Sequence, residues 1–122
     1  MQTIVLMDHI DFVVVAKPPG ISVHRDGYNS NQTPLLQLVR DFMGHWVWPI
    51  HRIDRQCSGC VLFSKTQENV NELQNALQNG TKRYLALVRG KIQSNHRMVV
   101  TNPIKVNKLR NSIKIRLNIV II

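Results

Sequence analysis

The stretch His51-Arg52-Ile53-Asp54-Arg55-Gln56-Cys57-Ser58-Gly59 sets one carboxylate between two guanidinium groups. In an extended segment Arg52 and Asp54 share a face while Arg55 points elsewhere. An arginine beside Asp54 is expected to hold the carboxylate ionised. An ionised Asp is a nucleophile or a base. The same arginines suit the phosphates of a nucleic acid. The pattern equally describes a surface ion-pair cluster beside a strand, and the residues by themselves leave both readings open. Ser58-Gly59 supplies turn chemistry after the charged run.

Other chemistries fit less well. Cys57-x-x-Cys60 lies near His51, but a structural zinc site needs four ligands, and His24, His45 and His96 form no second pair. No helix start follows the two cysteines, which argues against a thioredoxin-like redox motif. Ser58, His51 and Asp54 lack the G-x-S-x-G elbow of a hydrolase. No metal is expected.

Several elements must position these residues. Thr3–Met7 and Phe12–Ala16 are short β-branched runs around an Asp/His turn, which predicts a hairpin. Lys17-Pro18-Pro19-Gly20 stops the second strand. Ile21–His24 reads as a brief extended piece and Asp26–Gln32 as a loop. Thr33 is the expected cap of a helix with Pro34 at its first position; Leu35, Leu38, Val39 and Phe42 follow at helical spacing, and Gly44 ends it. Cys60–Ser64 is a strand candidate. Thr66 is the expected cap of a second helix, with Val70, Leu73 and Leu77 on one face and Asn79-Gly80 at its end. Arg83–Arg89 reads as a strand. This order favours an α+β fold over an alternating parallel sheet. The tail Asn111–Ile122 reads as an apolar terminal strand with nothing to pair it.

Composition fits one small globular domain: 122 residues, 43% apolar and 19% charged. No apolar run of membrane-spanning length occurs, and acids rather than Lys or Arg occupy the N-terminus. A cytoplasmic protein with reduced thiols is expected. The net charge of +9 lies entirely in residues 61–122, where eleven Lys/Arg face Glu68 and Glu72; the five Lys/Arg and five Asp of residues 1–60 cancel. Such one-sided excess suits a polyanion, nucleic acid above all.

Three ordered segments resemble the RluA-type RNA pseudouridine synthases. The family segment H-R-L-D-R-x-T-S-G stands here as His51–Gly59, with Ile53 and Cys57 as the two departures, followed by the apolar Cys60–Ser64. An acidic turn, an aliphatic strand, K-P-x-G and a histidine stand as Asp11 to Gly20 with His24 after them. K-x-Y-x-A-x-V-x-G stands as Lys82–Gly90. The wording His24-Arg25 and Val39-Arg40-Asp41 is most similar to the tRNA pseudouridine synthase C branch.

The resemblance implies the N-terminal portion of the pseudouridine synthase catalytic fold, a mixed and mostly antiparallel sheet with packed helices. It implies a cofactor-free isomerisation: the N-glycosidic bond of a uridine is cleaved, the base turns, and it rejoins through C5. Asp54 would be the catalytic carboxylate on a loop at the edge of a basic cleft. Tyr84 would lie against the flipped base and act on the C5 proton; read without the family, it is an ordinary strand aromatic. Arg52, Arg55, His51, Lys17, His24, Lys82 and Arg83 would position RNA or the base, although Lys17 alone reads as a solvated lysine before a turn. The expected partner is RNA, tRNA before ribosomal RNA, for a monomer without membrane contact. The likeness covers residues 1–104. The family's later Thr-Gly-Arg and His-Gln-hydrophobic-Arg segments have no counterpart, and 105–122 reads as a divergent tail. A C-terminally truncated member is therefore expected, either active or a non-catalytic RNA-binding remnant.

Overall fold

A computed structural model describes residues 4–25, 32–85 and 120–121. The strands and helices are β1 (Ile4–Asp8), β2 (Phe12–Lys17), α1 (Leu35–Met43), β3 (Trp48–Pro49), β4 (Ser58–Ser64), α2 (Val70–Asn79), β5 (Tyr84–Leu85) and β6 (Val120–Ile121). The sheet runs β1-β2-β4-β6-β5, with β3 also paired to β4. Every pairing is antiparallel except β4 with β6. The fold is α+β with a mixed, mostly antiparallel sheet, as the element order implied.

The centre of the sheet is the β2–β4 pair, whose register sets Val13 opposite Phe63, Val15 opposite Val61 and Lys17 opposite Gly59. Side chains alternate across a strand, so Val13, Val15 and Lys17 share one face, and that face is the core. Val13, Val15, Val61 and Phe63 are wholly buried, with Leu35 and Val39 of α1 packed into the same cluster. Each such apolar side chain contributes about 1.5–3 kcal/mol by leaving water. The expected hairpin forms: His9 N–H donates to the Phe12 carbonyl across the turn.

Both helix starts differ from expectation. Pro34, not Thr33, is the N-cap of α1; its carbonyl accepts from the Gln37 and Leu38 N–H groups. The Leu35 and Leu36 N–H groups donate instead to the Ser22 and Val23 carbonyls, so the extended piece after the Pro-Pro turn caps the helix in place of a side chain. Phe42, seven residues on from Leu35, is exposed, while its neighbour Met43 packs against the core from the same last turn of α1. Gly44 ends the helix at φ 72°, where a Cβ would be strained. Asn69, not Thr66, precedes α2; Thr66 is held by Ser64, whose hydroxyl donates to the Thr66 carbonyl at 2.6 Å. Val70, Leu73 and Leu77 are half-buried on one face as expected.

The tail strand was expected to lie unpaired. Val120–Ile121 instead sits between β4 and β5, parallel to Ser58–Gly59 and antiparallel to Tyr84–Leu85. It therefore has a hydrogen-bonded strand on each side. The rest of that predicted strand, residues 86–89 of the strand before it, and the predicted loop at 26–31 lie outside the described residues.

Candidate active site

The charged segment forms the loop between β3 and β4, and its register follows from one apolar residue. Ile53 is buried in the core cluster, so its neighbours Arg52 and Asp54 face outward, both exposed. The predicted sharing of a face by Arg52 and Asp54 is realised. The Asp54 carbonyl accepts from the Cys57 N–H at 3.0 Å, closing a turn that brings the chain into β4, and Cys57 is buried beneath it.

A cleft of about 160 Å³ opens at this loop, lined by Ser22, Val23, His24 and Arg25 on one wall and Arg52, Ile53, Asp54 and Arg55 on the other. The first wall is the segment whose carbonyls cap α1, so helix and cleft are fixed by the same hydrogen bonds. Three arginines and a histidine thus surround one carboxylate. Among the described residues no cation lies within ion-pair distance of Asp54. Of the two candidate arginine partners, Arg55 turns its Nε instead to the Gly20 carbonyl at 2.7 Å.

Lys17 departs furthest from its sequence reading. It was expected as a solvated or RNA-positioning lysine and is 1% exposed. Its Nζ donates to the carbonyls of Pro18 at 2.9 Å, Ile21 at 2.8 Å and Arg55 at 3.1 Å. An ammonium has three N–H donors, and all three are used. Burial lowers the Lys17 pKa below the usual lysine value, while nearby Cys57 and, less strongly, Asp54 favour its charge. The Gly20 N–H adds a 2.7 Å bond to the Arg55 carbonyl, with Gly20 at φ 96°. The Pro-Pro turn and the Asp54 loop are therefore tied at Arg55 from both directions. The sequence signal for this was present: Lys17 continues the inward alternation of Val13 and Val15.

His51 is half-buried, and its Nε2 accepts the Leu62 N–H at 3.2 Å. Its pKa is lowered, chiefly by burial and then by the charge of Lys82, against a backbone hydrogen bond at Arg52 that raises it. His51 therefore anchors the loop to β4 rather than facing the cleft. Lys82, Arg83 and Tyr84 are exposed and do not line the cleft; Tyr84 is 56% exposed on β5. The cleft thus gathers Asp54, Arg52, Arg55 and His24 of the predicted residues. It adds Arg25, noted before only as family-like wording. Among the described residues no three His, Cys, Asp or Glu side chains are grouped as metal ligands. No described helix is long and apolar enough to cross a membrane.

The chain is 37% identical to tRNA pseudouridine synthase C of Haemophilus influenzae over 100 residues, covering 80% of this chain and 42% of that protein. It is 39% identical to tRNA pseudouridine synthase C of Pasteurella multocida over 97 residues, covering 77% of this chain and 39% of that one. The chain spans about two fifths of the length of these relatives. A solved structure of human RNA Pseudouridylate Synthase Domain Containing 4 superposes with a TM-score of 0.49 at 15% identity, covering 95% of this chain and 50% of that one. Residues 11–118 match the family described as RNA pseudouridylate synthase, a match that takes in the cleft and both strands flanking it; the chain belongs to that family.

Proposed function

We propose that this chain isomerises uridine to pseudouridine in RNA, with tRNA as the substrate class and Asp54 as the catalytic carboxylate. The observation that carries this reading is the cleft that gathers Asp54 with Arg25, Arg52, Arg55 and His24 in a member of this family. An exposed carboxylate ringed by cations suits a nucleotide whose phosphates meet the arginines while its sugar or base meets the acid. The preference for tRNA draws support from the relatives named above.

The reaction breaks the N1–C1′ bond of the uridine and forms a C5–C1′ bond; C5 loses a proton and N1 gains one. The atoms balance without a redox step, so the reaction needs no electron carrier. Asp54 attacks or supports the sugar or base. Tyr84, exposed on β5 outside the cleft lining, would meet the base from beyond the cleft and act on the C5 proton. Arg52, Arg55 and His24 position the nucleotide, and Lys82 and Arg83 meet RNA beside the loop. Lys17 and His51 act from beneath, by fixing the loop. A paired uridine must be extruded first, which costs a few kcal/mol of unstacking. Residues 1–104 form the catalytic portion, working as a cytoplasmic monomer.

The test is tritium release from tRNA labelled at uridine C5. Release that vanishes in Asp54→Asn supports the reading. Well-folded protein that binds tRNA without releasing tritium overturns the catalytic part and leaves an RNA-binding remnant. Release from ribosomal RNA alone overturns the choice of tRNA.

A further inference from the structure

A second feature lies at the other end of β4. Gly44 turns the chain off the end of α1 in the left-handed conformation, and Trp46 follows, 65% exposed. The Arg40 guanidinium lies over the Trp46 ring, 5.2 Å from its centroid. Arg40 is itself fixed: its Nε and Nη2 donate to Asp41 Oδ1 at 3.2 and 3.0 Å. The Trp46 carbonyl is bound by His45 Nδ1 at 2.8 Å, which holds the turn. These residues, with Gly44, line an open cleft of about 320 Å³. Among the described residues Trp46 is the most exposed aromatic side chain, and Phe42 is nearly as exposed on the adjacent last turn of α1.

From this arrangement we infer that Trp46 is a stacking platform for an unpaired nucleobase of the RNA that enters the Asp54 cleft. This rests on the RNA reading above. An indole backed on one side by a guanidinium has its orientation set before binding, so little side-chain entropy is lost when a flat ring stacks on it. The ligand atom class follows from the charges. Asp41 already neutralises Arg40 and its carboxylate lines the cleft, which disfavours a phosphate. A neutral base is not repelled, and its amino group can donate to the Asp41 carboxylate.

The spacing suits one strand reaching both places. Trp48 pairs with Ser64, and Lys17, beneath the Asp54 loop, pairs with Gly59. Those two points of β4 are about 17 Å apart at roughly 3.3 Å per residue. About five stacked nucleotides span that distance at roughly 3.4 Å each. Trp46 would therefore read a base outside the target uridine's immediate neighbours, contributing affinity without touching the reacting atoms.

The experiment measures tRNA affinity of the whole chain by filter retention for the unmodified protein, Trp46→Ala and Trp46→Phe. It also follows Trp46 emission in a Trp48→Phe background. Trp46→Ala should weaken binding about 5- to 150-fold, the range of one lost base–aromatic stack. Trp46→Phe should recover most of that loss. The salt dependence should not change, because no phosphate contact is removed, and Trp46 emission should fall as tRNA is added. Equal affinity for all three proteins with unchanged emission overturns the platform while leaving RNA binding intact. Loss in both variants together with a lowered Tm makes Trp46 structural and overturns it too. Trp46-dependent self-association in light scattering, without an effect on tRNA, assigns the surface to a protein contact. Absence of tRNA binding by the unmodified chain at any salt concentration sinks the RNA reading itself.

Discussion

The two sides of the Asp54 loop are built on opposite terms. On the inner side every polar group is spoken for: the Lys17 ammonium uses three carbonyls, the Arg55 carbonyl accepts from both Lys17 and Gly20, and Ile53 and Cys57 are in the core. On the outer side Arg52 and Asp54 are exposed, and no described cation pairs with Asp54. The loop is held from beneath so that its outer groups need not hold it. If the proposed function holds, this division separates stability from chemistry residue by residue, and substitutions on the two sides should fail in different ways.

The largest effect belongs to the outer side. Asp54→Asn keeps shape and removes the charge, so tritium release should fall by about 10⁴-fold or more, as when a central catalytic group is removed. Its Tm should stay within about 2 °C of the parent, since an exposed site costs no more than about 0.5 kcal/mol. A large Tm drop in Asp54→Asn would break the division. Lys17→Met should do the reverse. It fills similar space but strands the Pro18 and Ile21 carbonyls, while the Arg55 carbonyl keeps the Gly20 N–H, a loss of about 2–3 kcal/mol in urea unfolding. Unchanged unfolding would show that the Lys17 clamp is not what holds the loop.

Arg55 and Arg52 sharpen the contrast within one tetrapeptide. Arg55→Ala loses the Nε bond to the Gly20 carbonyl and should cost about 1–2 kcal/mol of stability along with weaker tRNA binding. Arg52→Ala should weaken tRNA binding and flatten its salt dependence by about one unit of slope, with stability unchanged. Equal effects on stability from both arginines would erase the distinction.

The outer side was legible in the sequence and the inner side was not, for a physical reason. Alternation in an extended segment was enough to put Arg52 and Asp54 on one face; the burial of Ile53 is what turns that face outward. Finding the inner side required knowing which carbonyls a buried ammonium meets, and one of them, on Arg55, lies 38 residues away in sequence. The Val13-x-Val15-x-Lys17 alternation pointed inward, but a charged residue before Pro-Pro reads as the end of a strand. The helix caps were misread for a related reason. Thr33 and Thr66 have the right chemistry, yet the donors at the start of α1 are met by the Ser22 and Val23 carbonyls, a tertiary contact no local pattern encodes. The hairpin, the helix ending at Gly44 and the half-buried face of α2 rest on local periodicity and turn chemistry, and those forms were visible.

His51 tests the boundary between the two sides, with the smallest effect. Its neutral Nε2 accepts the Leu62 N–H, and a protonated ring cannot accept there. Burial, then Lys82, lower its pKa in the folded chain below the ordinary 6.5. Below pH 6.5 the unfolded chain therefore binds a proton that the folded chain still refuses. Stability should fall as pH drops from 6.5 toward the lowered folded value and level off beneath it, and it should be insensitive to this group above about pH 7. Urea unfolding at a series of pH values reads the slope, and His51→Asn, which offers a carbonyl acceptor without a titrating ring, should reduce it. A slope that persists unchanged in His51→Asn would assign the acid sensitivity to other groups. A slope that vanishes, with tRNA affinity at pH 7.5 preserved, would place His51 with Lys17 on the inner side, as a residue that serves the site by holding the loop rather than by meeting RNA.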